Sequence, residues 1–130
     1  MILLLRGAPG VGKSTAAALA VLQLGGAPRA AVVEVDDLRG DLWHVSAVEG
    51  MPDHARHLLA VAQAAGVALA LLGAGVGLVI VVDTFSRAGV DAFTRALRRR
   101  AGLRTVTLTV GRTEHCERLC ATADRHTVTL

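Results

Sequence analysis

Lys13 is the only lysine in the chain, and it lies within Gly7-Ala8-Pro9-Gly10-Val11-Gly12-Lys13-Ser14, followed by Thr15. This run fits the spacing G-x-x-x-x-G-K-[ST] at every fixed position. Glycines at such places let the backbone curl so that consecutive N–H groups point inward at anionic oxygens. A helix starting directly afterwards adds the positive end of its dipole. Lysine closes the loop as a compact point charge, which the planar fork of arginine does not reproduce. The chemistry implied is a grip on nucleotide phosphates: Lys13 reaches the β- and γ-phosphates, and Ser14 offers its hydroxyl to Mg2+. Gly7 through Thr15 is therefore the candidate cofactor-binding segment, with ATP and Mg2+ as the expected cofactors.

Two carboxylate positions go with that loop. Asp83 follows the apolar run Leu78-Val79-Ile80-Val81-Val82. A carboxylate at the C-terminal end of a central parallel strand opens onto the same crevice as the loop, so Asp83 joins Ser14 as a candidate Mg2+ ligand. Asp36-Asp37-Leu38-Arg39 follows a second apolar run. These aspartates can cap the next helix; one of them can also serve as the proton acceptor that a hydroxyl needs when it attacks a phosphoryl group.

The elements that must position these groups follow from apolar patterning. Short apolar runs at 2–5, 30–35 and 78–82 read as strands, and the Thr/Val alternation of 104–110 reads as a half-buried one. Helical patterns cover 13–24, a short stretch near 38–43, a longer one opened by Pro52 and Asp53 and ending near Leu72, and 90–100; Thr113 can cap a last helix to about Ala123. The β-α alternation predicts an α/β architecture, a three-layer fold with a mainly parallel sheet of four or five strands and helices on both faces, in a single domain over 1–130.

Composition narrows the function classes. The chain has 130 residues, 52% hydrophobic and 2% aromatic, with net charge +3, which suits one folded domain and excludes a disordered polymer. Arg98-Arg99-Arg100 falls where a helix should end, so its charge reads as dipole compensation before nucleic-acid binding. A nucleic-acid acceptor is permitted by the charge but disfavoured by the scarcity of stacking aromatics. The uncharged stretch 64–82 is punctuated by four glycines and reads as helix, turn and strand, not as a membrane span. The short apolar run at 2–5 does not read as a signal peptide, and Cys116 and Cys120 read as reduced thiols of a cytoplasmic protein. There is no asparagine for the Asn-Lys-x-Asp motif of signalling GTPases.

With these residues together, the chain resembles the small kinase branch of the P-loop NTPases, the zeta-toxin-like and chloramphenicol-phosphotransferase-like ATP-binding proteins. The resemblance rests on Gly7–Ser14, Val35–Arg39, Val79–Asp83 and Thr107–Arg118. It implies a small-molecule kinase that transfers the ATP γ-phosphoryl to a hydroxyl acceptor with Mg2+. It further implies Asp36 as base, with Asp37 the alternative, and Arg39 as a phosphate or substrate contact. Arg118 and Arg125 stand where lid arginines lie in that family, and Arg118 can equally pair with Glu114 on one helix face. Against that family the chain, ending at Leu130, is expected to be short of a strand and much of the lid. The alternative function is a nucleotide-binding module, non-catalytic or dependent on a partner.

Overall fold

Ile2-Leu3-Leu4-Leu5 has no polar residue to turn toward water, so it needs cover on both faces. In the computed structural model, which describes residues 1–25, 29–42 and 50–109, it forms the greater part of strand β1 (Ile2–Arg6). The elements that follow are α1 (Lys13–Gln23), β2 (Ala30–Glu34), α2 (Val35–Leu42), α3 (Asp53–Gly73), β3 (Leu78–Val82), α4 (Arg87–Leu97) and β4 (Leu103–Thr107). All strand pairs are parallel, in the order β2-β3-β1-β4, with Ile2 opposite Val79 and Leu103.

Alternation along each strand divides the core between two faces. Ile2, Leu4, Val79 and Val81 pack with Ala60, Val61, Ala64, Ala65 and Ala68 of α3 and Phe93 of α4. Leu5, Ile80 and Val82 pack instead with Ala17 of α1. The sheet is therefore the middle of three layers, as expected. Five residues of α3 are fully buried, and four of them are alanines, which let the helix axis come close to the sheet. By length and composition α3 could also cross a membrane, but its apolar stripe is spent on this packing. The stretch 64–82 divides into the end of α3, a turn at Gly75 and strand β3.

The bounds of α2, α4 and β4 differ from the sequence expectation, each for a local reason. Helix α2 starts at Val35, three residues before the expected Leu38, because Val35 is buried in the core and strand β2 passes directly into the helix. Asp36 and Asp37 thus occupy its first turn, where the helix dipole favours negative charge, and do not precede it as caps. Helix α4 runs from Arg87 to Leu97 instead of 90–100: the Ser86 hydroxyl accepts the Gly89 N–H at 3.1 Å, and Arg98 and Arg99 have positive φ. The arginine run consequently lies past the last turn. Strand β4 spans Leu103–Thr107 instead of reaching residue 110. Only Leu103 in it is half-buried, because among the described residues it is an edge strand beside β1. The expected helix from Thr113, the two cysteines and the segment beyond Thr109 lie outside the described residues.

Candidate active site

All four strands are parallel, so their C-terminal ends open on one side of the sheet, and the loop leaving β1 lies there. Gly10 and Gly12 hold φ of 77° and 102°, values that only glycine adopts without strain, and they fold the segment back toward α1. Gly7 is fixed by space: a Cβ there would sit 2.6 Å from the Leu108 carbonyl oxygen and 2.9 Å from Val11 Cγ1. Helix α1 begins at Lys13, and its first accepted bond runs from Ala16 N–H to Gly12 O at 3.0 Å. The N–H groups of Lys13, Ser14 and Thr15 therefore have no carbonyl of their own helix to meet, which is the arrangement that favours an anion.

The Lys13 ammonium donates to the carbonyls of Gly7 at 2.8 Å and Ala8 at 2.9 Å, so the lysine spans its own loop. Burial pushes its pKa below the usual lysine value, and Asp83, Asp36 and Glu34 pull it partly back. A cavity of about 250 Å³ lies against the loop, lined among others by Lys13, Ser14, Glu34, Asp36, Asp83 and Thr84. The candidates Lys13, Ser14, Asp36 and Asp83 are thus brought together from three parts of the chain. Asp37 and Arg39 are not among the described lining residues. Arg39 forms an ion pair with Asp53, the first residue of α3. That pairing raises the Arg39 pKa and holds the Asp53 carboxyl below its usual range, although solvent screens the contact. Arg118 and Arg125 lie outside the described residues.

Asp83 is nearly enclosed, its side chain 2% exposed. Its Oδ2 accepts hydrogen bonds from His57 Nε2 at 2.9 Å and from the Phe85 backbone N–H at 3.2 Å. Phe85 holds φ at 49°, a costly value for an aromatic residue, and its ring is pinned edge-to-face on Phe93 with centroids 6.1 Å apart. The sequence reading missed His57 and Glu34. His57 falls on the helical stripe continued by Ala60, Val61 and Ala64, so a polar residue on an apolar face was its signal. Glu34 breaks an apolar run at a strand's C-terminal end, as Asp83 follows one.

The donor set suits a hard divalent cation. Ser14 brings a hydroxyl, and Asp36 and Asp83 bring carboxylate oxygens to the same cavity, the ligand chemistry that Mg2+ takes. Potential ligand atoms of Asp36, His57 and Asp83 lie within 4.8 Å of one another.

Comparison with known proteins agrees with this fold. The AAA_33 family model, described as an AAA domain, matches residues 2–128. No curated protein sequence matches significantly. Among solved structures, the protein APE1195 is 21% identical with a TM-score of 0.66, the match covering 97% of this chain and 74% of that one. A candidate kinase from Chloroflexus aurantiacus j-10-fl is 15% identical with a TM-score of 0.64, covering 96% and 68%. A chain of the Pnkp1/Rnl/Hen1 complex is 22% identical with a TM-score of 0.67; the match covers 99% of this chain but 40% of that one.

Proposed function

The chain belongs to the AAA_33 family of AAA domains, and from that premise we propose that it stands in the small kinase branch of the P-loop NTPases, as an ATP-dependent kinase acting on a hydroxyl-bearing small molecule. The observation that carries this reading is one cavity lined by Lys13 and Ser14 from the loop and by Asp36 and Asp83 from the strand ends. A loop without an acceptor-side carboxylate would suffice for binding alone; Asp36 supplies the group that transfer requires.

In this mechanism the loop amides, the start of α1 and Lys13 hold the triphosphate. The acceptor hydroxyl oxygen attacks the γ-phosphorus, its bond to the β–γ bridging oxygen breaks, and ADP leaves. The hydroxyl proton passes to the Asp36 carboxylate, which is exposed and therefore able to meet an acceptor arriving from solvent. Ser14 and Asp83 would hold Mg2+, which when bound offsets charge on the transferring phosphoryl group. Arg39, one turn beyond Asp36 and paired with Asp53, is given the contact with the acceptor or its phosphate by the family resemblance. The family resemblance gives Arg118 and Arg125 the role of lid charges.

The test is transfer of label from γ-labelled ATP with Mg2+ to a panel of sugars, nucleosides, antibiotics with free hydroxyls and 5′-hydroxyl oligoribonucleotides. Oligonucleotides belong in the panel because one structural neighbour comes from an assembly described as an RNA repair complex. Label on a small hydroxyl compound is the expected result. Label confined to oligonucleotides would move the acceptor to nucleic acid, and Mg-ATP binding without label on any acceptor would leave a binding module.

A further inference from the structure

Asp83 is the only buried charged side chain among the described residues, and a buried carboxylate persists only where its lone pairs are met. Both of its donors fall on one oxygen: His57 Nε2 and the Phe85 N–H share Oδ2. Oδ1 takes no hydrogen bond from the described residues, and Asp83 lines the cavity beside Ser14 and Lys13. The carboxylate is thus held by one oxygen and offered by the other.

The imidazole that holds it has its proton assigned by the surroundings. His57 Nδ1 is buried and has no hydrogen-bond partner, whereas Nε2 faces a carboxylate oxygen. Placing the proton on Nδ1 would leave a buried donor unmet and turn a nitrogen lone pair toward the carboxylate. Placing it on Nε2 makes a charge-assisted bond. The same reasoning argues against joint chelation of a cation by Asp36, His57 and Asp83, despite their proximity, because ligation through Nε2 requires the proton on Nδ1. His57 also ties two structural parts together. One turn before it on α3, Asp53 holds Arg39 of α2, so the start of one helix secures both that arginine and the carboxylate at the end of β3.

We propose that His57 is a positioning residue for Asp83: its Nε2–H fixes Oδ2 so that Oδ1 is presented to the Mg2+ of the bound nucleotide. This rests on the functional reading above and extends it to a residue that touches neither the nucleotide nor the cation.

Binding of a fluorescent ATP analogue, titrated with Mg2+ and repeated in EDTA, reads the effect without turnover. In His57→Leu the Mg2+ concentration for half-saturation should rise ~10-fold or more, the usual consequence of removing a partner of a metal-ligating group, while affinity in EDTA stays unchanged. His57→Gln, whose amide nitrogen can stand near the position of Nε2, should restore the wild-type Mg2+ dependence. His57→Asn, whose shorter amide reaches only as far as Nδ1, should not; this pair decides the matter even where the leucine variant does not fold. Long-range nitrogen–proton NMR of the neutral imidazole in the wild type should show the Nε2–H tautomer. Wild-type Mg2+ dependence in both His57→Leu and His57→Asn, or an Nδ1–H tautomer, overturns the proposal while leaving Mg-ATP binding intact. Absence of Mg-ATP binding by the wild type overturns the functional reading itself, and with it this extension.

Discussion

The phosphate loop and the carboxylate cluster facing the same cavity are built by different means. The loop is a run of consecutive residues, and its shape comes from backbone: positive φ at Gly10 and Gly12, a Gly7 with no room for a Cβ, and a helix that starts at Lys13. The cluster is made of side chains from three elements. Asp36 comes from α2, His57 from α3 and Asp83 from the end of β3, and they meet only because α3 packs closely on the sheet. The loop should therefore be sensitive to changes within its own sequence and tolerant of distant side-chain changes that leave the Leu108 backbone in place. The cluster should respond to any change that moves α3 or its neighbours.

The largest expected effect separates the two regions by function. Asp36→Asn should lower kcat by ~10²–10⁴, the range for loss of a positioned proton acceptor, while the dissociation constant for Mg-ATP stays near wild type. A parallel loss of Mg-ATP binding would make Asp36 a ligand of the cation and blur the distinction. Next comes the loop. Gly7→Ala should destabilise the fold by about 1–3 kcal/mol, because the added methyl meets the Leu108 backbone oxygen and must displace it. Urea unfolding measures this, and an unchanged midpoint would mean the loop is not held by that close approach.

The smallest effect is a pH dependence carried by Lys13. Its pKa in the folded protein lies below the usual value of 10.5, with burial the main cause. The charged form is thus the disfavoured one, so this group's contribution to stability rises as pH climbs from the folded value toward 10.5. Phosphate binding needs the ammonium and therefore weakens over the same interval. Affinity for Mg-ATP should begin to fall before pH 10.5 in the wild type; Lys13→Arg, whose fork grips less well but whose charge persists, should start weaker and lack that decline. A wild-type affinity flat to pH 10.5 would show that the lysine does not carry the grip.

The same contrast explains what the sequence disclosed. Gly7–Thr15 could be read because all its determinants are adjacent in the chain. The parallel sheet could be read because β1 and β3 are apolar on both faces and helices alternate with them. Asp83 could be placed because the end of a buried strand has a defined location in such a sheet. His57 could not, since its role depends on which carboxylate α3 lies against, a tertiary fact with no local trace beyond a polar residue on an apolar stripe. Likewise, Arg39 was expected to contact phosphate or substrate on family grounds, while its pairing with Asp53 depends on how α2 rests on α3. The boundary of α2 was misplaced because Val35 reads equally as the end of a strand and the buried start of a helix.

Calorimetric titration of Mg-ATP into the wild type and Lys13→Ala tests the central claim most directly. Wild-type binding should be saturable, and removing the ammonium should weaken it by roughly 1.5–3 kcal/mol, the range for a hydrogen bond to a charged group. Equal affinity in the two proteins, or no binding by either, would contradict the account.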